Sequence, residues 1–152
     1  MLHSGMRAPE FTLPDQTGAE VSLTSLVNDG PLILYFYPAD FTPGCTREAC
    51  AIRDVYGELH RAGLSVAGIS PQSADSHRSF SEHYQLPFTL LADSDKSVIR
   101  MFDVNGPLGI GVRRATFLID SSRLIRKAVL ADFRIAKHER FVYEALALNS
   151  RH

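Results

Sequence analysis

The stretch PLILYFYPADFTPGCTREAC, Pro31–Cys50, holds an apolar run, a turn-rich break and both cysteines of the chain. Pro31 to Tyr37 is continuously apolar and rich in β formers, the pattern of a central strand buried on both faces. The segment from Pro38 to Gly44 interrupts it with turn residues. From about Thr46 to Ala62, the apolar positions Ala49, Ile52, Val55, Tyr56 and Leu59 keep three- and four-residue spacing, which predicts a helix that Gly63 stops. Strand, loop and helix follow one another, so Cys45 falls at or near the first helical turn.

Working outward, the alternation continues. MRAPEFTLPDQTGAEVSLTSL reads as two short strands around a turn at Pro14–Gly18. Leu64–Ser70 is a second buried-strand run, Ser73–Tyr84 a helix and Pro87–Leu91 a short strand. Asp93 or Ser94 is placed to cap a helix reaching about Phe102. ATFLID and RLIRKAVL flank a turn at Ser121-Ser122 and predict a hairpin, and Lys137–Leu148 is a last amphipathic helix. This order predicts an α/β, three-layer fold with a central mixed sheet, helices on both faces and an N-terminal β-hairpin; it matches a thioredoxin-like order, and order alone leaves other α/β topologies open. No linker or repeat divides the chain, so residues 1–152 are expected to form one domain.

Composition narrows the function classes. Hydrophobic residues make up 45% and charged residues 22%, with a net charge of −1. No basic face is announced for nucleic acid or an anionic membrane. No apolar run approaches the ~20 residues that span a bilayer, and MLHSGMRAPE lacks the apolar core of a secretory signal. The expectation is a cytoplasmic protein with neither nucleic acid nor membrane as a partner. A single pair of thiols spaced C-x4-C, with no His in the segment, does not fit a structural zinc site. Metal is therefore not expected, and the six histidines read as surface or lightly buried side chains.

At a helix mouth the unpaired backbone N–H groups and the helix dipole favour negative charge. A thiol there ionises more easily, and the thiolate is the reactive form. Cys45 is thus a candidate nucleophile, against the plain alternative of a small buried hydrophobe. Cys50 lies five residues on. In an intact helix that separation gives about 7.5 Å of rise and about 140° of rotation, hence Cα atoms roughly 8 to 9 Å apart. A disulfide needs about 4.4–6.8 Å. If the two thiols join, the first turns must unwind. A thiolate attacking an O–O bond needs hydrogen-bond donors around the oxygens and a cation beside the sulfur. Thr42 and the N–H groups of Gly44 and Cys45 offer donors; Arg47, Arg53, Arg113 and Arg114 are candidate cations.

The run Pro38-x-x-x-Thr42-x-x-Cys45 resembles the P-x-x-x-T/S-x-x-C signature of the peroxiredoxins. FYPADFTPGCTREACAIRD is similar to the subgroup called bacterioferritin comigratory protein or peroxiredoxin Q. APEFTLPDQTG, LPFTLLAD and RRATFLID fit at matching distances, so the likeness covers nearly the whole chain. It implies an antioxidant thiol peroxidase acting on hydrogen peroxide and organic hydroperoxides. On that resemblance Cys45 is the peroxidatic cysteine, Thr42 orients the peroxide, Pro38 shields the pocket and Arg114, three residues before Phe117, holds the thiolate. Cys50 is the resolving cysteine of an intramolecular Cys45–Cys50 disulfide. Glu48 matches an acidic position beside the site, where it either supports the site or is an exposed helix carboxylate. The resemblance implies no cofactor, thioredoxin or a similar dithiol protein as reductant, and a monomer or weak dimer. Two other readings are a thioredoxin-like disulfide oxidoreductase, disfavoured because C-x4-C replaces C-x-x-C, and a binding module that uses only the fold.

Overall fold

The apolar run after Pro31 forms the middle of a sheet, where all five of its strand residues are buried. The computed structural model describes residues 1–130 and 134–149. In chain order these form β1 (Thr12–Pro14), β2 (Glu20–Ser22), α1 (Leu23–Leu26), β3 (Leu32–Phe36), α2 (Pro43–Arg61), β4 (Ser65–Ser70) and α3 (Ala74–Tyr84). They continue with β5 (Thr89–Ala92), α4 (Ser97–Met101), a 3-10 turn at Pro107–Gly109, β6 (Ala115–Ile119), β7 (Ile125–Leu130) and α5 (Ile135–Asn149).

The five-stranded sheet has the order β5-β4-β3-β6-β7, and β1-β2 is a separate two-stranded hairpin. β3 runs parallel to β4 and antiparallel to β6, with Leu34 opposite Ala67 on one side and Phe117 on the other. Alternate residues of β3 feed two cores. Leu32, Leu34 and Phe36 join Phe11, Leu13, Val98, Ile99 and Phe102 beneath the hairpin and α4. Ile33, Tyr35 and Tyr37 join Cys45, Ala49, Ile52, Phe80 and Phe141 beneath α2, α3 and α5. The mixed sheet, the hairpin and helices on both faces are as the sequence predicts.

Both sheet edges are covered, which removes a template for intermolecular pairing. Gln16 clasps β5, donating from Nε2 to Phe88 O and accepting from Leu90 N. At the other edge the N-terminal segment exchanges backbone hydrogen bonds with β7 through Gly5, Met6 and Ile125. Gly68 is required in β4 because a Cβ there would lie 2.8 Å from the Tyr35 ring.

Three features stand apart from the sequence expectation. Helix α2 begins at Pro43, not Thr46, since a proline at the first helical position has its φ preset and needs no N–H partner. Helix α4 begins only at Ser97, because Lys96 takes a left-handed conformation (φ 62°). Asp93 nevertheless caps it from outside, accepting from the N–H groups of Val98 and Ile99. The one-turn helix α1, capped by the Ser22 hydroxyl on Ser25 N, was too short to show a period. No described helix is long and apolar enough to cross a membrane.

Candidate active site

Cys45 sits in the first turn of α2, at the carboxyl end of β3, and is 1% exposed. The loop entering that turn ends in Thr42, whose backbone carbonyl accepts from Thr46 N and opens the helix. The first-turn N–H groups, which lack intrahelical partners, give this end of the helix a positive potential.

Arg114 reaches the sulfur from the residue before β6. Its Nη2 donates to Cys45 Sγ at 3.3 Å and its Nη1 donates to Glu48 Oε1 at 2.9 Å. The guanidinium therefore bridges the thiol and a carboxylate one helical turn further along. Gly44 leaves it the room: a Cβ on that residue would stand 3.1 Å from Arg114 Nη2. Burial works against the guanidinium's charge, but Glu48 and Cys45 beside it outweigh that and raise its pKa. Among the described contacts, Arg114 is the candidate arginine that reaches the sulfur. Arg47 pairs with Glu139 at the surface, and Arg53 binds Asp54 and the Tyr84 carbonyl.

Glu48 is not an exposed helix carboxylate: it is 2% exposed. Burial, only partly countered by Arg114, pushes its pKa up to about 7. Its Oε2 lies 3.7 Å from His138 Nδ1 on α5, which in turn is 2.7 Å from Thr116 Oγ1. His138 and His77 are fully buried, which corrects the expectation that all histidines lie at or near the surface. His77 belongs to a second buried network with Asp40, Tyr37 and Ser76, directly under the loop that leads to Cys45. Neither histidine has a spacing that could have revealed its partners, since 90 and 37 residues of chain separate His138 from Glu48 and His77 from Asp40.

Thr42 lies at the helix mouth with its hydroxyl donating to Ala39 O at 2.9 Å, so in this arrangement its proton is not aimed at the sulfur. Its lone pairs stay available. Pro38 is half-buried at the start of the loop, and its carbonyl accepts from Gln72 Nε2 at 3.4 Å. Cys50 is half-buried on the same unbroken helix, and both thiols are free. Phe41 and Pro43 stand exposed beside the helix mouth.

Residues 4–128 match the AhpC/TSA family. A Coxiella burnetii protein carrying the name peroxiredoxin bcp is 47% identical over 127 residues, 80% of this chain and 83% of that one. The chloroplastic peroxiredoxin Q of Sedum lineare is 42% identical over 135 residues, 88% of this chain and 72% of that one. Among solved structures, the peroxidoxin BcpB of Mycobacterium tuberculosis superposes with a TM-score of 0.89 at 37% identity, covering 99% of this chain and 97% of that one. The Xanthomonas campestris bacterioferritin comigratory protein gives 0.83 at 30% identity over 92% of each chain. With a buried thiol at a helix mouth and an arginine on its sulfur, these likenesses settle the family: the chain belongs to the AhpC/TSA family, as a peroxiredoxin, a thiol peroxidase, of the bacterioferritin comigratory protein and peroxiredoxin Q type.

Proposed function

We propose that Cys45 is the peroxidatic residue of this chain and that Cys50 resolves it. The observation that carries the reading is the guanidinium of Arg114 shared between Cys45 Sγ and Glu48. The Cys45 thiolate attacks one oxygen of a hydroperoxide, forming the S–O bond as the O–O bond breaks. The other oxygen leaves with a proton as water or an alcohol. Arg114 and the first-turn N–H groups face the charge that moves from sulfur to the departing oxygen. The Thr42 hydroxyl turns from Ala39 O to donate to the bound peroxide, and Pro38 limits water at the loop's inner side. The Cys50 thiol then attacks the sulfenic sulfur, an S–S bond forms and water departs. Thioredoxin or a similar dithiol protein restores both thiols with two electrons.

Hydrogen peroxide and organic hydroperoxides are the proposed substrates. The X. campestris relative is described for alkyl peroxide reduction, and exposed Phe41 and Pro43 beside the site support an apolar tail lying there. The proposal includes a cytoplasmic monomer or weak dimer built as one domain over 1–152, with no nucleic acid or membrane partner. The two cores sharing β3 support that domain assignment.

Mass spectrometry after one equivalent of hydrogen peroxide tests the reading. A Cys45–Cys50 bridge, reversed by thioredoxin, is the expected product. Cys45→Ser abolishes turnover, whereas Cys50→Ser completes one round and then stalls unless an external thiol is added. Both thiols unchanged after micromolar peroxide overturns the proposal.

A further inference from the structure

The loop Pro38–Thr42 contains a residue that local preference does not explain. Phe41 adopts a left-handed backbone conformation (φ 65°). For a non-glycine residue this costs about 1–2 kcal/mol, so surrounding contacts must impose it. The Phe41 ring itself packs edge-on against Phe80, 5.1 Å away between centroids, and beside His83 and Tyr84 on α3, and Asp40, immediately before it, adds a polar clamp. Its carboxylate accepts from Tyr37 Oη at 2.6 Å and from Ser76 Oγ at 2.8 Å. His77 Nδ1 stands 2.6 Å from the same oxygen that Ser76 binds. The far ring nitrogen of His77 lies 3.0 Å from the Leu91 carbonyl, which can only accept. His77 Nε2 therefore carries a hydrogen, and another lies between Nδ1 and Asp40. The two side chains are 0% and 1% exposed. The backbone N–H of Asp40 is also held, donating to Gln72 Oε1 at 2.9 Å, while Gln72 Nε2 reaches Pro38 O. A loop of five residues is thus riveted to α3 and to the turn after β4.

We propose that Asp40 is a positioning residue: clamped by His77, Ser76 and Tyr37, it holds the loop and the first turn of α2 in the form that reacts with peroxide, and it must let that turn go before Cys50 can be reached. The inference rests on the proposed roles of Cys45 and Cys50 and adds a control element to them. One clamp then acts on two successive steps with opposite sign. Holding the turn favours attack on peroxide, because reacting groups displaced by even an ångström lose much of their rate. Releasing it favours the disulfide, because an intact helix keeps the thiols too far apart. A residue that merely stabilised the fold would not separate the two steps in this way.

Quench-flow kinetics on the full chain reads both steps: loss of the Cys45 thiol with hydrogen peroxide, then growth of the Cys45–Cys50 bridge. Asp40→Ala is expected to slow the first step roughly tenfold and to accelerate the second several-fold, so that less sulfinic acid accumulates at high peroxide. Asp40→Asn restores most of the first step, since its amide can donate to His77 Nδ1 and its oxygen can still accept from Tyr37. Ser76→Ala, which removes one rivet, shifts both rates in the same opposed directions by less and decides the matter if Asp40→Ala does not fold by circular dichroism. Both rates falling together, or neither moving, in a folded variant overturns the inference while leaving the proposed function intact. No peroxide-dependent loss of the Cys45 thiol in the parent protein overturns both.

Discussion

At the scale of single residues, the site is a short chain of charges that share one guanidinium. Arg114 touches Cys45 and Glu48 through different nitrogens, a geometry that a lysine's compact ammonium cannot reproduce. Arg114→Lys is expected to lower the second-order rate with hydrogen peroxide about a hundredfold, measured by competition with a reporter peroxidase, with little change in secondary structure. Glu48 leads to a pH prediction. The folded protein holds its proton up to about 7, against the ordinary 4.5. Between those values the unfolded chain binds fewer protons than the folded one, so this carboxyl makes stability fall as pH rises through that window and level off above it. Glu48→Gln removes the dependence. Urea titrations at pH 5 and pH 8 are expected to show the variant gaining on the parent at the higher pH; a pH-independent difference would refute this. Cys45 could be named as a candidate from its place at a helix mouth; the role of Thr42 and the choice of Arg114 came only from the family signature, because spacing left four arginines open. His138, His77 and the clamp on Asp40 could not be named, because their meaning lies in contacts between distant segments.

At the scale of elements, the proposed roles of Cys45 and Cys50 give α2 two tasks that conflict. Its N-terminus gathers donors around Cys45, while its continuity keeps Cys50 about five residues of helix away. Oxidation to the bridged form must unwind the segment from Pro43 to Cys50. The expected result is a loss of helical signal at 222 nm on treatment with one equivalent of peroxide, and new protease cleavage between residues 42 and 52; both reverse on reduction. Unchanged spectra and cleavage in a protein shown to carry the bridge would overturn this account. The helix itself was legible from its apolar period, but its first turn was not. Thr42, Pro43 and Gly44 hold no apolar repeat, and only the proline rule for helix starts points to them. The same reasoning explains α4, where the capping carboxylate of Asp93 was readable and the left-handed Lys96 that delays the helix was not.

At the scale of the whole molecule, the middle of the sheet holds the runs that can be buried twice. β3 lies at the centre and its neighbours β4 and β6 are almost as apolar, with every residue of β6 buried. The burial of β3 and β4 could be read from their hydrophobic runs; the order of the strands could not. The covering of both edges could not, because Gln16 and the N-terminal segment act through tertiary docking. On the face away from the thiols, Phe117 packs against Phe36 and Phe102 with ring centroids 5.8 and 5.4 Å away. Phe117→Ala is expected to cost about 3–5 kcal/mol, read as an earlier midpoint in denaturant, while the peroxide rate of the remaining folded protein stays close to that of the parent.

The alternation along β3 also works as a firewall. Because odd and even positions serve opposite layers, the melting at the mouth of α2 that the proposed cycle requires is expected to fall on the tier that contains Tyr35, Tyr37 and Phe80. The tier beneath the hairpin keeps its aromatic triad and can serve as the fixed half from which the melted half re-forms after each turnover. Amide exchange compared between reduced and bridged protein should therefore rise sharply in one tier and remain level in the other.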